Sequence, residues 1–292
     1  MRKKYNNTLG YFLLFPWLFG FMLMFIIPMV ISFYFSFTDY NLLKAPNFVG
    51  FYNYKNLFLN DDLFITSLIA TFKYVLILVP CRLAFALFVA LFVNGKYKGS
   101  GAYRTIYYIP SIIGGSIAVA IVWKQIFGNG GAIMTILDIV GIEQKDSLLG
   151  NPKTAFYVII LLGIWQFGSS MLIFLAALKQ VPVSLYESAE LDGAKGFGKF
   201  FNITLPMISS SIFFNLVLQM VGGFKVFTES YIITEGGPLN TTTFYVYYLY
   251  KNAFQYFQMG YASAMAWILV GIIAVFTIII FKTQKSWVYY ES

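Results

Sequence analysis

The distribution of apolar residues divides the chain into six long hydrophobic stretches separated by more polar segments. A transmembrane helix needs about 20 mostly apolar residues. Six stretches meet this requirement, and they cover residues 11–35, 67–93, 105–127, 155–178, 208–227 and 261–281. The first is too long for a signal-peptide core and lacks a small-residue cleavage site, so we interpret it as a retained anchor. The pattern predicts an all-α polytopic membrane protein with six transmembrane helices.

The composition agrees with a lipid environment and excludes several classes of protein. Of the 292 residues, 59% are hydrophobic and 11% are charged. These values exclude a soluble enzyme, a disordered chain and a collagen-like fibre. The chain contains no histidine and one cysteine, Cys81. We therefore expect no catalytic residues, no disulfide within the chain and no metal site.

The basic residues predict an orientation, because cytoplasmic segments of membrane proteins are enriched in Lys and Arg. With the N-terminus inside, eleven basic residues fall on the cytoplasmic side, namely Arg2, Lys3, Lys4, Lys96, Lys98, Arg104, Lys179, Lys195, Lys199, Lys282 and Lys285. Five fall outside, namely Lys44, Lys55, Lys145, Lys153 and Lys251. This asymmetry predicts that both termini are cytoplasmic.

The most informative polar segment lies between the fourth and fifth stretches, over residues 181–206. Pro182 ends the preceding helix. Ser184 followed by Glu187 matches a capping box, which predicts the start of a short helix, and Gly193 suits the position that ends it. A second short helix over 195–203 follows. The shape alone is equally compatible with an ordinary amphipathic connection.

The same segment resembles the EAA loop of binding-protein-dependent ABC importer permeases, whose pattern is E-A-A-x(3)-G-x(9)-I-x-L-P. The matching residues are Glu187, Ala189, Gly193, Ile203, Leu205 and Pro206, with Ser188 in place of the second Ala. A second match is similar to the MalF-like carbohydrate permeases and comprises the segment TEGGPLNTT at 234–242, Tyr250, Ala253, Phe254, Gly260, Ala262 and Ala264. The resemblance covers the chain from about residue 47 onward.

This resemblance implies a MetI-like permease fold in a bacterial plasma membrane. It divides the chain into an N-terminal helix and outer loop (1–66), a permease core with five transmembrane helices (67–282) and a cytoplasmic tail (283–292). The implied partners are a MalG-like second permease, a dimer of ATP-binding-cassette ATPases, an extracellular solute-binding protein and a sugar or oligosaccharide substrate. No nucleic acid is expected.

In that family the loop docks into a cleft of the ATPase and transmits its closure to the membrane helices. The residues implied for this coupling are Glu187, Ser188, Ala189, Asp192, Gly193 and Ala194. Glu187 could close the capping box, pair with a basic group of the ATPase, or do both.

The chain contains no ATP-binding motif of its own. The glycines and lysines at 193–199 lack the spacing and the Ser or Thr of a P-loop. We therefore expect a transport subunit that is not an enzyme and holds no cofactor, with ATP and Mg bound by the partner ATPase. The alternative is a self-sufficient secondary transporter or channel, although no internal repeat of the kind those proteins use is obvious.

Polar and small residues inside the stretches are candidates for the substrate path, because polar groups in lipid are costly unless they have a function. Those in the fifth stretch are Asn215, Gln219, Gly222 and Gly223, and those in the fourth are Trp165, Gln166 and Ser169. An aromatic ring beside amides suits a sugar. The alternative for each set is helix packing.

Two basic residues lie inside the second stretch. Arg82, near its centre, could contact an acidic group of the substrate, but we favour a structural contact with another helix. Lys73 lies nine residues earlier and could be a first contact for anions. We favour the alternative that its side chain snorkels to the lipid headgroups.

Overall fold

The computed structural model describes residues 7–95, 100–142 and 146–289, which form α-helices and, within those ranges, no β-strand. The α-helices are α1 (Asn7–Phe21), α2 (Ile27–Phe35), α3 (Tyr52–Leu59), α4 (Asp62–Val93), α5 (Ser100–Ile113), α6 (Ile117–Phe127), α7 (Ala132–Ile139), α8 (Ala155–Trp165), α9 (Gly168–Leu178), α10 (Val183–Leu191), α11 (Gly196–Lys199), α12 (Leu205–Met207), α13 (Ser209–Phe224), α14 (Tyr245–Tyr250) and α15 (Met259–Thr283). Short π-helical segments extend or join several of them, at Met22–Ile26, Phe200–Thr204, Glu229–Thr234 and Lys251–Gln255. A 3-10 turn at Gln284–Ser286 follows α15.

Five helical segments in the described residues, some with a short non-helical break, are long and apolar enough to cross a membrane, and a bent pair supplies a sixth. The five are Gly10–Phe35, Asp62–Val93, Ile117–Ile139, Ser209–Thr234 and Met259–Ser286. The bent pair is α8 and α9, whose axes differ by 41°. The predicted all-α class with six spans is confirmed. Of the residues that predict the orientation, Arg2, Lys3, Lys4, Lys96, Lys98 and Lys145 lie outside the described residues.

The third span differs from the sequence prediction. The stretch at 105–127 is broken between α5 and α6, and the apolar candidate is Ile117–Ile139. The break follows from local chemistry, because Ser116 has an extended backbone and its hydroxyl accepts a hydrogen bond from the Val119 amide. That contact caps the N-terminus of α6. A hydropathy window cannot register this cap, since the residues on both sides are apolar.

The chain forms two compact units. The first consists of residues 1–61 and 249–270. In this unit the buried Asn53 amide donates to the carbonyl oxygens of Ser36 (2.9 Å) and Thr38 (2.8 Å). The Gly260 amide donates to the Tyr40 carbonyl, and a Cβ at this glycine would collide with the Thr38 carbonyl. The α3 helix and the start of α15 are thus fixed to the loop after α2.

The second unit consists of residues 62–248 and 271–292, and α4 is its centre. This helix packs against α8, α9 and α13. Gly163 permits the contact with α8, since an added Cβ would lie 2.5 Å from the Leu78 Cδ1 atom. Small residues allow membrane helices to approach closely, where van der Waals contact stabilises their association. The functional candidates of both the loop and the spans lie in this unit.

Candidate functional site

The loop predicted to couple the subunits does form two short helices, but the predicted capping box is wrong. Pro182 is the N-cap of α10, with φ −60° and ψ 130°, and no side chain caps the helix. The Pro182 carbonyl accepts a hydrogen bond from the Leu185 amide (3.2 Å), so the helix begins directly after this residue. Ser184 consequently lies inside the first turn, and its hydroxyl does not occupy the capping position.

The predicted end of α10 at Gly193 has a well-defined geometry. The Ala194 amide donates to the Ala189 carbonyl (2.8 Å), and the Gly193 amide donates to the Glu190 carbonyl (3.0 Å). These two bonds make a Schellman motif, which satisfies the last carbonyls of the helix. Gly193 has φ +77°, a left-handed conformation that costs other residues roughly 1–2 kcal/mol.

Two side-chain contacts fix the bend between the short helices. The Tyr186 and Thr204 hydroxyls are hydrogen-bonded at 2.9 Å. The Lys199 ammonium donates to the Glu190 carboxylate. This hydrogen bond and the positive charge of Lys199 lower the pKa of Glu190 below its ordinary value. Since the Glu190 side chain is 71% exposed, the ion pair contributes little stability and serves to orient the helices.

Most of the predicted coupling residues are accessible. Glu187, Ser188, Asp192 and Gly193 are exposed, whereas Ala189 and Ala194 are half-buried. The Glu187 carboxylate makes no hydrogen bond or ion pair with any described residue. Two large apolar side chains of the same segment, Leu191 and Phe197, are 91% and 83% exposed. The loop therefore presents a free carboxylate beside apolar surface.

A second site forms around Arg82, inside the span Asp62–Val93. Its Nη1 atom donates to the Gln219 Oε1 atom at 2.7 Å, and its Nη2 atom donates to the Gln166 Oε1 atom at 3.2 Å. The Nε atom is buried and has no hydrogen-bond partner among the described residues. Arg82 thus joins α4, α13 and the bend between α8 and α9. Its partners are side-chain amide oxygens on other elements, which is the kind of contact expected of the structural alternative.

Further hydrogen bonds hold the two glutamines. The Gln219 Nε2 atom donates to the Ser170 hydroxyl (2.9 Å), and the Gln166 Nε2 atom donates to the Gly114 carbonyl (2.9 Å). The Ser111 hydroxyl donates to the Gln166 backbone carbonyl at 2.9 Å. This last bond satisfies a carbonyl that the bend between α8 and α9 would otherwise leave free. We call the set of Arg82, Gln166, Gln219, Ser170 and Ser111 the polar cluster.

The other predicted path residues of the fifth span lie in different environments. Asn215 is fully buried, and its amide donates to the Ser211 carbonyl one turn earlier. Gly222 is exposed, with no atom near its missing Cβ. At Gly223 an added Cβ would lie 3.2 Å from the Val75 Cγ2 atom, so this glycine packs against α4. The environment of Gly223 therefore fits the alternative of helix packing, whereas Gly222 faces open space.

The predicted path residues of the fourth span also take different environments. Trp165 packs beside Trp123, with ring centroids 5.9 Å apart, in a cluster with Leu162 and Ile233. Ser169 is exposed, and its backbone amide donates to the Ser111 hydroxyl. Of the predicted path residues, the structure brings together Arg82, Gln166 and Gln219.

Sequence reasoning missed two residues near the polar cluster. Tyr74 and Glu229 lie within electrostatic range of the Arg82 guanidinium. Glu229 opens the π-helical segment Glu229–Thr234, two residues beyond the predicted end of the fifth stretch. The available signal was a single carboxylate, flanked by Thr228 and Ser230, which a boundary at residue 227 placed outside the membrane. Tyr74 is one aromatic among many and carried no signal.

Both sites have a chemistry suited to binding. In the described part of the chain no group of three His, Cys, Asp or Glu side chains could hold a metal ion. The polar cluster offers amides, hydroxyls and one guanidinium, which exchange hydrogen bonds with polar ligands. The loop offers a rigid protruding surface. Several apolar spans combined with these features define a multi-pass membrane transport subunit.

Comparison with known proteins agrees with this class. A family described as "binding-protein-dependent transport system inner membrane component" matches residues 5–285. A probable ABC transporter permease, YesP of Bacillus subtilis, is 52% identical over 289 residues, covering 98% of this chain and 94% of YesP. The arabinooligosaccharide permease AraP of the same organism is 32% identical, covering 93% of this chain and 87% of AraP.

A solved structure shows the same fold. A chain of a bacterial alginate ABC transporter, crystallised with its alginate-bound periplasmic protein, superposes with a TM-score of 0.82. It is 24% identical, and the match covers 95% of this chain and 94% of that one. The predicted MetI-like permease fold is confirmed.

The chain therefore belongs to the family of inner-membrane components of binding-protein-dependent transport systems. The predicted membership of the ABC importer permeases is confirmed, and so is the function as a membrane permease subunit. This decides against the self-sufficient transporter. The chain is a multi-pass membrane protein, and its class is that of a transport subunit.

Proposed function

We propose that this chain forms half of the translocation path of a sugar or oligosaccharide importer. A MalG-like permease completes the path, and two ATPase subunits bind ATP and Mg and hydrolyse ATP. An external solute-binding protein delivers the substrate, and both termini of this chain are cytoplasmic. Sugars are proposed because relatives carry names such as arabinooligosaccharide permease and starch degradation product permease.

The observation that carries the coupling part of this proposal is the free Glu187 carboxylate on a rigid loop. A conformational signal that crosses a subunit contact needs an element that moves as a unit. The Schellman motif at Gly193 and the contact between Tyr186 and Thr204 give the loop that property. Glu187 then pairs with a basic group of the ATPase, while Leu191 and Phe197 bury their exposed surface against it.

The polar cluster supports the path part of the proposal. Arg82 holds the Gln166 and Gln219 amides at fixed positions on two neighbouring elements. A sugar hydroxyl that approaches the cluster exchanges hydrogen bonds with these amides. The guanidinium acts on the sugar indirectly, by holding the two amides in place. Gly222 leaves open space on the same helix as Gln219. In this arrangement Arg82 positions the path and does not select substrates by charge.

The test uses the intact transporter, with all subunits reconstituted in lipid nanodiscs. Glu187→Ala should abolish uptake and the stimulation of ATP hydrolysis by the loaded binding protein, without changing substrate binding to that protein. Glu235→Ala is a matched control, since it removes another exposed carboxylate, one that pairs with Lys124 far from the loop. Normal stimulated hydrolysis in Glu187→Ala would overturn the coupling role.

A further inference from the structure

A groove on the second unit combines positive charge with apolar walls. Its volume is about 850 Å³, within the range of roughly 300–1,000 Å³ typical of small-molecule sites. One wall is a stripe of α4 that includes Thr66, Ile69, Lys73 and Ile77. These positions recur at helical spacing, so they share one face. The groove therefore follows α4 for about 16 Å, at ~1.5 Å per residue.

The other two walls come from distant parts of the sequence. Lys153, Phe156 and Tyr157 line the groove at the start of α8. Leu239 and Asn240 close it from the loop after the Glu229–Thr234 segment, and both have positive φ angles. The Thr242 and Thr243 hydroxyls tie this loop to the carbonyls of Gly237 and Gly236, so the third wall is fixed.

The positive charge of the groove is not neutralised within the described chain. Its lining contains two lysines and no carboxylate. Neither Lys73 nor Lys153 takes part in an ion pair with another described residue. An ammonium group that stays exposed in a membrane-spanning helix is costly unless an anion or water compensates it. The groove thus offers two ammonium groups, unpaired among the described residues, to an anionic group from outside the chain.

The arrangement of charge along the groove matches a lipid. Lys153 lies two residues before α8, at the end of a candidate span, where lipid headgroups are found. Tyr157 is 60% exposed beside it, which is typical of an interfacial aromatic residue. Ile77 lies one turn deeper than Lys73, so the polar end of the groove continues into an apolar end. An ammonium group forms charge-assisted hydrogen bonds with a phosphate, so two lysines at this level suit the headgroup of an anionic lipid.

We propose that this groove binds one anionic phospholipid, with its phosphate between Lys73 and Lys153 and an acyl chain along Ile69, Ile77 and Phe156. The lysine side chains reach the phosphate with their ammonium groups while their methylene stems stay against the apolar wall. The lipid then connects α4, the centre of the second unit, to the first turn of α8 and to the fixed loop. This site is separate from both the coupling loop and the polar cluster.

The test measures lipid binding to the purified transporter with its co-purifying subunits. Native mass spectrometry and thermal unfolding follow the titration of phosphatidylglycerol, of phosphatidylcholine with the same acyl chains, and of inorganic phosphate. The variants are Lys73→Gln/Lys153→Gln, the charge-preserving Lys73→Arg/Lys153→Arg, and Lys44→Gln/Lys55→Gln. The last pair removes the same charge from the first unit.

We expect phosphatidylglycerol to bind and stabilise the wild-type protein. Each lysine contributes roughly a fivefold gain in affinity, so the double Gln variant should bind about 25-fold more weakly. The Arg variant and the Lys44/Lys55 control should bind as the wild type does. Equal affinity for phosphatidylcholine, equal stabilisation by inorganic phosphate, or unchanged phosphatidylglycerol binding in the Lys73/Lys153 Gln variant would overturn the proposal. Loss of a co-purifying subunit with unchanged lipid binding would also overturn it and would assign the groove to a protein contact.

Discussion

The coupling loop takes its fixing contacts from residues at most 18 positions apart, whereas the polar cluster joins residues up to 137 positions apart. The hydrogen bonds of the loop stabilise its own bend. The Glu187 carboxylate makes none with a described residue. In the polar cluster the opposite holds, since both terminal nitrogens of Arg82 are bound to glutamines. The first region is arranged to contact another protein, and the second is arranged to hold its own helices. Substitutions in the two regions should therefore fail in different ways.

The largest effect is expected at the end of α10. In Gly193→Pro the φ of +77° becomes impossible and the amide that donates to the Glu190 carbonyl is lost, so the loop should lose its shape. Uptake should be abolished while the subunits remain assembled. The matched control is Gly196→Pro, because Gly196 is the first residue of α11, where proline is tolerated. Equal uptake in the two variants would contradict a role for the loop geometry.

Arg82→Gln should have the next largest effect, and it should act through stability. Hydrogen bonds to charged groups contribute about 1.5–3 kcal/mol each, and this variant breaks two of them. We expect lower yield and a lower unfolding temperature, with uptake of a neutral and an acidic oligosaccharide reduced by the same factor. Selective loss of the acidic oligosaccharide from a stable, assembled variant would instead make Arg82 a contact for substrate carboxylates.

Substitutions at two neighbouring glycines distinguish helix packing from lining of the substrate path. Gly223→Leu forces a side chain against Val75, and overpacking of this kind costs about 1–3 kcal/mol. Its main effect should appear in thermal unfolding. Gly222→Leu places the same side chain in open space, so it should keep its unfolding temperature and lower the rate of uptake. If both variants keep full uptake, this face of α13 does not line the path.

The smallest effect concerns the ion pair between Glu190 and Lys199. The pKa of Glu190 is lowered in the folded protein, so the pair stabilises the loop above the ordinary pKa of a glutamate. That contribution is lost as the pH falls through the lowered value. Thermal unfolding of wild type and Glu190→Gln should differ slightly at pH 7 and converge at the acidic end. A constant difference across this range would show that the charge of Glu190 is not the cause.

The sequence predicted the loop well because its determinants are local. Gly193 ends α10 as expected, and only the capping box failed, since Pro182 initiates the helix by itself. The polar cluster could be predicted only in part. Arg82, Gln166 and Gln219 were recognised as polar residues in apolar stretches, but their mutual contacts depend on tertiary packing. Ser169 was predicted, but the Gln219 amide donates to the hydroxyl of the neighbouring Ser170, and a one-residue difference of this kind depends on the tertiary contact.

The spans illustrate the same limit. Hydropathy gave the number of spans, because apolar length is a property of composition. It misplaced the third span, since the Ser116 cap that breaks it is a hydrogen-bond feature. It also ends the fifth stretch before Glu229, a carboxylate within electrostatic range of Arg82. The helical segment that contains it continues to Thr234.

The most direct test of the central claim is a cross-link from the loop to the ATPase. Cys81 is the single cysteine of the chain, so Cys81→Ser provides a background for introduced thiols. In that background we compare Glu187→Cys with Leu239→Cys, which is also exposed but lies outside the loop. A short bifunctional reagent should join Glu187→Cys to the ATPase subunit and should leave Leu239→Cys free of it. Absence of the adduct at Glu187→Cys in an assembled, ATP-hydrolysing complex would contradict the claim that this loop contacts the ATPase.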